Sequence, residues 1–255
     1  MINYPTNITD SQWQVIKDFL NLERKRKYEL RKIVNGILYL VKTGCQWRML
    51  PKDFPKWQLV YYYFKRWQYE GIIEKLQQFL VKKIRQDQGR REQPSIGIID
   101  SQSIKSTLVS SREHTGFDGG KRIKGIKRHI VVDSSGMLLS VTIHPASMAD
   151  RKGAAGVLDK LRKQWLGIEK IFADGGYPLP GRAGERIQSL CGYVMEVVKR
   201  TEMNTFKILP KRWVVERTFA WIETNRRNAK SYERLPATAE AITQLSAMRI
   251  MLKNF

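Results

Sequence analysis

The stretch Ile96–Thr107, "IGIIDSQSIKST", decides how the rest of the chain is read. Ile96 to Ile99 form an apolar run suited to a buried strand, and Asp100 follows at once. An unpaired carboxylate is costly to bury. Asp100 therefore either closes a strand at a turn or is held there to grip something positive.

The surroundings of that carboxylate are basic. The chain has 255 residues, with 46 Lys and Arg against 24 Asp and Glu, a formal net charge of +22. Such an excess points to a polyanionic partner, above all nucleic acid. Hydrophobic residues make up 42% of the sequence, enough to fill a core. No apolar run reaches the roughly 18–20 residues of a spanning helix, and "MINYPTNITDSQW" lacks the features of a signal peptide, so a soluble cytoplasmic protein without membrane contact is expected. Cys45 and Cys191 are too few and too far apart for a zinc cluster, which leaves oxygen ligands for any metal.

The periodicity changes around "IRQDQGRREQPS", a polar stretch ending near Pro94 that reads as a linker and divides the chain into residues 1–90 and 91–255. The first part reads as helices. Thr9 or Ser11 caps "SQWQVIKDFL", Gly44 stops "ELRKIVNGILYLVKTG", and "KWQLVYYYFKRWQYEG" and "IIEKLQQFLVKKIR" follow. This is a small all-α, helix-turn-helix-like arrangement, although its turn is longer than usual. Trp57, Phe64 and Trp67 read as core, while Lys65 and Arg66 are candidate DNA contacts.

In the second part "SIGIID", "IKRHIVVDSSG" and "MLLSVTIHPAS" read as a three-strand meander. The helix "DRKGAAGVLDKLRKQW", the strand "IEKIFADGGY", the helix "GRAGERIQSLC", the strand "YVMEVVKR" and the long helix "KRWVVERTFAWIETNRRN" come after it. Their alternation gives an α/β layered fold with a mixed sheet.

Asp174 repeats the placement of Asp100, closing the apolar "IFA" before Gly175 and Gly176. Ligands of open α/β sheets sit outside the carboxyl ends of strands, so the two aspartates are candidates for one site; Asp before Gly is equally a turn signal. A third carboxylate comes from the last long helix. There Val215, Phe219 and Ile222 make the apolar face, and Arg212, Glu216, Ala220, Glu223 and Arg227 make an adjoining stripe. Glu216 borders the buried face and Glu223 is its rival; either could instead pair with arginines in solvent. Three carboxylates on a basic surface suit Mg2+, with two ions about 3.5–4 Å apart acting on a phosphodiester. Asp118, Asp133 and Asp150 are assigned to loops or to a helix cap, and His114, His129 and His144 lack metal-ligand spacing.

Taken together, "DSQSIKST", "GFDGGKRIKGIKRHIVVDSSGMLLSVTIHPASMADRKGA", "FADGGY" and "RWVVERTFAW" resemble the DDE transposases of bacterial insertion sequences, in the branch close to the insertion-sequence five group. The resemblance runs from about Tyr4 to "AMRIMLKN". It implies an RNase H-like catalytic domain behind the helical DNA-binding part, with Asp100, Asp174 and Glu216 as catalytic and metal-binding residues. It also implies two Mg2+ ions that Mn2+ can replace, and double-stranded DNA as partner, both element ends and target, bound by a homodimer or higher oligomer in the nucleoid. The activity implied is metal-dependent cleavage and strand transfer at terminal inverted repeats. A silent DNA-binding relative and an RNase H-like nuclease without strand transfer are the alternatives. The signature helix departs from some relatives, with Leu209 for a tyrosine and Glu223 for a lysine, so Arg212, Arg226, Arg227 and Lys230 are the candidate DNA contacts there. "GGKRIKGIKRH" adds Lys121, Arg122, Lys124, Lys127, Arg128 and His129 as contacts near the cleaved phosphate, unless it is only a solvated basic hairpin.

Overall fold

The computed structural model describes residues 4–20, 27–107, 112–174, 177, 192, 194–197 and 212–255. The expected helix "GRAGERIQSLC" lies outside the described residues.

The N-terminal helices form where their caps dictate. Helix α1 (Asp10–Ile16) starts with a reciprocal capping box: the Thr9 hydroxyl accepts from the Gln12 N–H at 3.2 Å while the Thr9 N–H donates to Gln12 Oε1 at 3.1 Å. Helix α2 (Leu30–Thr43) ends at Gly44, whose φ of 72° is the left-handed conformation that glycine adopts freely. Helices α3 (Trp57–Tyr69) and α4 (Ile72–Asp87) complete the group. Phe64 and Trp67 are buried, as expected of core residues, while Trp57 is half-buried beneath the Arg48 guanidinium.

The sheet contains β1 (Ile96–Lys105), β2 (Gly116–Asp118), β3 (Ile123–Val132), β4 (Leu138–Pro145), β5 (Lys170–Ala173) and β6 (Val194–Val197). β3 pairs antiparallel with β1 along one edge and with β2 and β4 along the other, and β5 and β6 continue in parallel on the far side of β1. Four strands in antiparallel pairing, of which β2 is only three residues long, followed by two parallel ones, with helices on both faces, give the RNase H-like mixed sheet that the resemblance implies.

β1 corrects one expectation. The strand does not end at Asp100 but runs to Lys105, pairing Asp100 with Ile130 and Lys105 with Gly125. Ser101, Gln102 and Ser103 look like turn residues in the sequence, yet each finds a polar partner from a covering element. Odd-numbered residues of β1 face helix α5 (Asp150–Gln164), where Ser101 meets Asp150. Even-numbered ones face helix α6 (Arg212–Glu223), where Gln102 meets Glu223.

A final helix, α7 (Pro236–Met251), starts with proline in its first turn and packs between the sheet and the N-terminal helices. It carries buried residues on nearly every side, including Ala241, Ile242, Thr243, Gln244, Leu245 and Met248. One apolar core therefore passes from Ile16 and Leu80 through Met248 to Ile130 and Val141. The polar stretch after α4 is bound down rather than a free tether: Arg90 Nη2 donates to Ser134 Oγ at 2.9 Å. Among the described residues no helix is long and apolar enough to cross a membrane.

Candidate active site

Register places the two aspartates. β1 and β5 are parallel, with Ile96 opposite Lys170 and Ile98 opposite Phe172. Carried on two residues, one past the end of β5, that register would set Asp174 level with Asp100 and on the same face, on strands that run about 4.8 Å apart. Both are half-buried, open enough to meet a ligand.

Helix α6 carries the third expected carboxylate, Glu216. Val215 and Ile222 are fully buried and Phe219 nearly so, which turns the next position, Glu216, to solvent at the border of the sheet. The C-terminal end of α6 is tied to β1, where Gln102 Nε2 donates to Glu223 Oε1 at 2.7 Å. Its middle is tied to the β3–β4 turn, where the Thr218 hydroxyl donates to Gly136 O at 2.9 Å. Because Val132, just before that turn, pairs with Ile98, the part of the helix between Thr218 and Glu223 runs from near the Ile98 level of β1 to the Gln102 level, and Glu216 lies two residues before that span. Glu216 lies seven residues before Glu223, about 10 Å along the axis. Glu223, the rival, is occupied by Gln102. Among the described residues no three His, Cys, Asp or Glu side chains gather closely enough to hold a metal ion.

Asp100 rests on a buried polar layer. Its Oδ1 accepts from the Ser101 N–H at 2.7 Å. On the opposite face Ser101 Oγ donates to Asp150 Oδ1 at 2.8 Å, and Ser103 Oγ donates to Asp118 Oδ2 at 2.5 Å. Lys127 lies between those two carboxylates, 2.9 Å from Asp150 and 3.6 Å from Asp118, and donates to Met148 O at 2.8 Å. Burial pushes the Asp150 carboxyl up, but hydrogen bonds from Lys127 and Ser101 outweigh it and hold the group below its ordinary value. Asp118 is likewise held low, chiefly by Ser103. Asp150 therefore does not cap α5 as the sequence suggests: it is the first residue of that helix and turns its side chain to the sheet.

Two buried histidines sit beside this layer. His144 Nδ1 faces the Pro145 carbonyl at 3.1 Å and so carries its proton, leaving Nε2 to accept from His129 Nδ1 at 2.6 Å. Burial, with His144 adding to it, pushes His129 down to about 3. The Tyr177 ring meets His129 edge-on at 5.9 Å. Burial, then the negative charges of Asp100, Asp150 and Asp174, push its hydroxyl up, which places all three carboxylates within electrostatic reach of one buried group. Tyr177 is not singled out in the sequence, where its only signal is its place in the motif of Asp174, and Asp150 is read there only as a helix cap.

The expected DNA contacts divide. Lys121, Arg122 and Lys124 are exposed, and Lys121 Nζ reaches the Ser101 carbonyl at 3.4 Å, next to Asp100. Arg226 and Lys230 are exposed. Lys65 and Arg66 are half-buried and bonded within their own helix, to Gln68 and Glu70, each at 2.7 Å. Arg212 opens α6, its side chain outside the described residues. Lys127, Arg128, His129 and Arg227 must be withdrawn from the DNA-facing surface, at 5%, 3%, 0% and 8% exposure. Each is claimed from within. Arg128 bonds Gln102 and Asn228, and its burial lowers it to about 10; Arg227 is paired with Glu233 at 2.7 Å and donates to Cys45 O at 3.0 Å. From Gly125 onward β3 is covered on both faces, so Lys127, Arg128 and His129, which look like part of a basic hairpin in sequence, are structural.

The family described as "Transposase DDE domain" matches residues 91–251, and a family of IS4/5-type transposases matches residues 8–77. No curated protein matches the chain. Among solved structures, the catalytic core domain of BIV integrase superposes with a TM-score of 0.40 at 12% identity, covering 60% of this chain and 81% of that one.

Proposed function

The chain belongs to the DDE-domain transposases, of the IS4/5 type, and we propose that it binds the terminal inverted repeats of an insertion sequence and catalyses metal-dependent strand cleavage and strand transfer there. The observation that carries this reading is the parallel register that sets Asp174 level with Asp100, beside the helix of Glu216. Residues 1–90 would hold the element ends and residues 91–255 would do the chemistry, in a homodimer or larger assembly on DNA.

Asp100, Asp174 and Glu216 would supply all-oxygen donors of the kind a hard dication such as Mg2+ takes, with Mn2+ able to replace it; as the side chains stand they are not gathered into a closed set, so binding of the metal would have to draw them together. When bound, such ions activate the attacking oxygen and stabilise the leaving oxygen of a phosphodiester. The chain's own residues orient the reactants. The Ser101 N–H fixes one oxygen of Asp100, and the Lys127 layer beneath keeps that part of β1 from shifting. Lys121, Arg122 and Lys124 hold the DNA backbone near Asp100, and Arg226 and Lys230 hold it beyond the end of α6. Water first displaces the bridging oxygen at the element end; the freed 3′ hydroxyl then attacks a target phosphodiester in line and releases a target 3′ hydroxyl. No covalent enzyme intermediate is needed.

The test offers pre-cut element ends and a supercoiled target to the protein with Mg2+ or Mn2+. Ends joined covalently to target support the transposase. Target cut without joining would support a nuclease, and ends bound but unchanged would support a silent DNA-binding relative.

A further inference from the structure

The β3–β4 turn, Asp133–Met137, is gripped from two sides by elements that do not otherwise share its business. From the N-terminal side, Arg85 at the end of α4 forms a buried ion pair with Asp133, whose side chain is 0% exposed, and Arg85 Nε also donates to Arg91 O at 2.9 Å. Arg90 donates to both Ser134 Oγ and Ser135 Oγ. Asp133 Oδ1 accepts the N–H groups of Ser135 and Met137 at 2.8 and 2.9 Å, so the charge that α4 holds also shapes the turn. From the other side, α6 seizes two consecutive carbonyls: Arg217 Nη2 donates to Ser135 O at 2.8 Å and Thr218 Oγ1 to Gly136 O at 2.9 Å.

Gly136 shows how tight this second grip is. Its φ is 88°, and a Cβ there would come within 2.9 Å of Thr218 Oγ1 and 3.2 Å of Arg217 Nη2. Arg217 is itself clamped between the rings of Trp213 and Trp221, at 4.5 and 4.3 Å, so it cannot yield without disturbing the helix. Arg217 and Thr218 are the two residues directly after Glu216.

We propose that the β3–β4 turn is a coupling element that sets the position of Glu216 from the attitude of α4, and that Thr218, Arg217 and Asp133 are positioning residues of the cleavage reaction. This rests on the reading of Glu216 as a member of the site. The elements that meet on the turn are the last helix of the part assigned to end binding and the helix that carries the third carboxylate. A tilt of α4 on DNA therefore reaches Glu216 through hydrogen bonds a few residues long. Two buried charges and two helix-to-carbonyl bonds on a five-residue turn exceed what closing a hairpin requires, since Asp133 already accepts the N–H groups of Ser135, Gly136 and Met137.

Asp133→Asn and Arg85→Met would test this most bluntly but leave a charge buried without its partner, which endangers folding. Milder cuts suffice: Thr218→Val removes the α6 bond at constant shape, and Ser134→Ala with Ser135→Ala removes the Arg90 bonds. Single-turnover cleavage at saturating end DNA is measured beside DNA affinity and melting temperature, with wild type and Glu216→Gln as references. We expect Thr218→Val to slow cleavage by about tenfold or more with affinity within about twofold, Thr218→Ser to restore it, and the serine changes to add little once Thr218→Val is present. Wild-type cleavage by Thr218→Val, or effects of the two cuts that multiply independently, would overturn the coupling while leaving the site intact. Cleavage that survives in Glu216→Gln would instead remove the reading on which it rests.

Discussion

Lys127→Met separates the buried role of this lysine from the DNA contact that its sequence neighbourhood suggests. Lys127 is 5% exposed and lies between Asp150, at 2.9 Å, and Asp118, at 3.6 Å. Methionine fills the space of the stem but leaves two carboxylates facing each other behind Asp100. Removing one partner from a fully buried ion pair costs about 3–5 kcal/mol, and the 35% exposure of the Asp150 side chain brings this to the lower end, about 3 kcal/mol. For a chain of this size that corresponds to a fall in melting temperature of roughly 6–12 °C. The pH dependence follows from the two carboxyls. Both are held below their ordinary values, so the stability they contribute is present above the unfolded carboxyl pKa and is lost as pH falls through the lowered folded values. The gap between wild type and variant should thus be full at neutral pH and shrink below about pH 4. Circular dichroism melts across pH, beside DNA affinity measured at several salt concentrations, provide the assay. An unchanged melting temperature together with weaker binding and a salt slope shallower by about one would refute the buried role and restore Lys127 as a phosphate contact.

Other perturbations test other parts of the account. Asp100→Asn, Asp174→Asn and Glu216→Gln should each abolish strand cleavage in a gel assay while changing end affinity by less than about twofold, because none of them holds the DNA backbone. His129 is buried with its pKa lowered to about 3, so the unfolded chain binds its proton more readily; wild-type stability should fall as pH drops below about 6.5, and His129→Asn should flatten that slope in thermal melts. Gly136→Ala meets both a left-handed backbone and a 2.9 Å contact with Thr218, and should cost about 1–2 kcal/mol in denaturant unfolding. Lys124→Ala, at an exposed position, should leave the melting temperature unchanged and weaken DNA binding about equally across sequences.

What the sequence reveals here depends on whether an element's residue types form a stripe. α2 has no exposed residue, yet its charged side chains are only half-buried and its apolar residues Ile33, Ile37, Leu40 and Val41 keep helical spacing up to a glycine stop, so it is readable. α7 is packed on nearly all sides, so its apolar and small polar residues show no stripe, and the sequence reading gave that segment no element. β3 sits between α5 and the α6–α7 layer, which lets Lys127, Arg128 and His129 be buried in succession; a one-dimensional pattern shows their charge but not their partners. β1 is misjudged for a related reason. Ser101, Gln102 and Ser103 punctuate the chain locally, and the carboxylates that make them strand residues come from positions 150, 223 and 118. The aspartates were legible because apolar runs end at them, and Glu216 because it borders Val215, Phe219 and Ile222. The level of Asp174 relative to Asp100 is a matter of register, which the sequence does not carry.

The position at which a strand is cut is the most direct test of Asp100, Asp174 and Glu216 as a site for cutting element ends. Purified protein would be incubated with labelled duplex carrying the ends that flank its gene, with Mg2+ or with a chelator, and the products sized to the nucleotide beside those of Glu216→Gln. A nick at the element boundary that requires the metal and is lost in the variant is the predicted result. Cleavage scattered along the duplex, or a boundary nick that persists in Glu216→Gln, would contradict the assignment of Asp100, Asp174 and Glu216 to a site for cutting element ends.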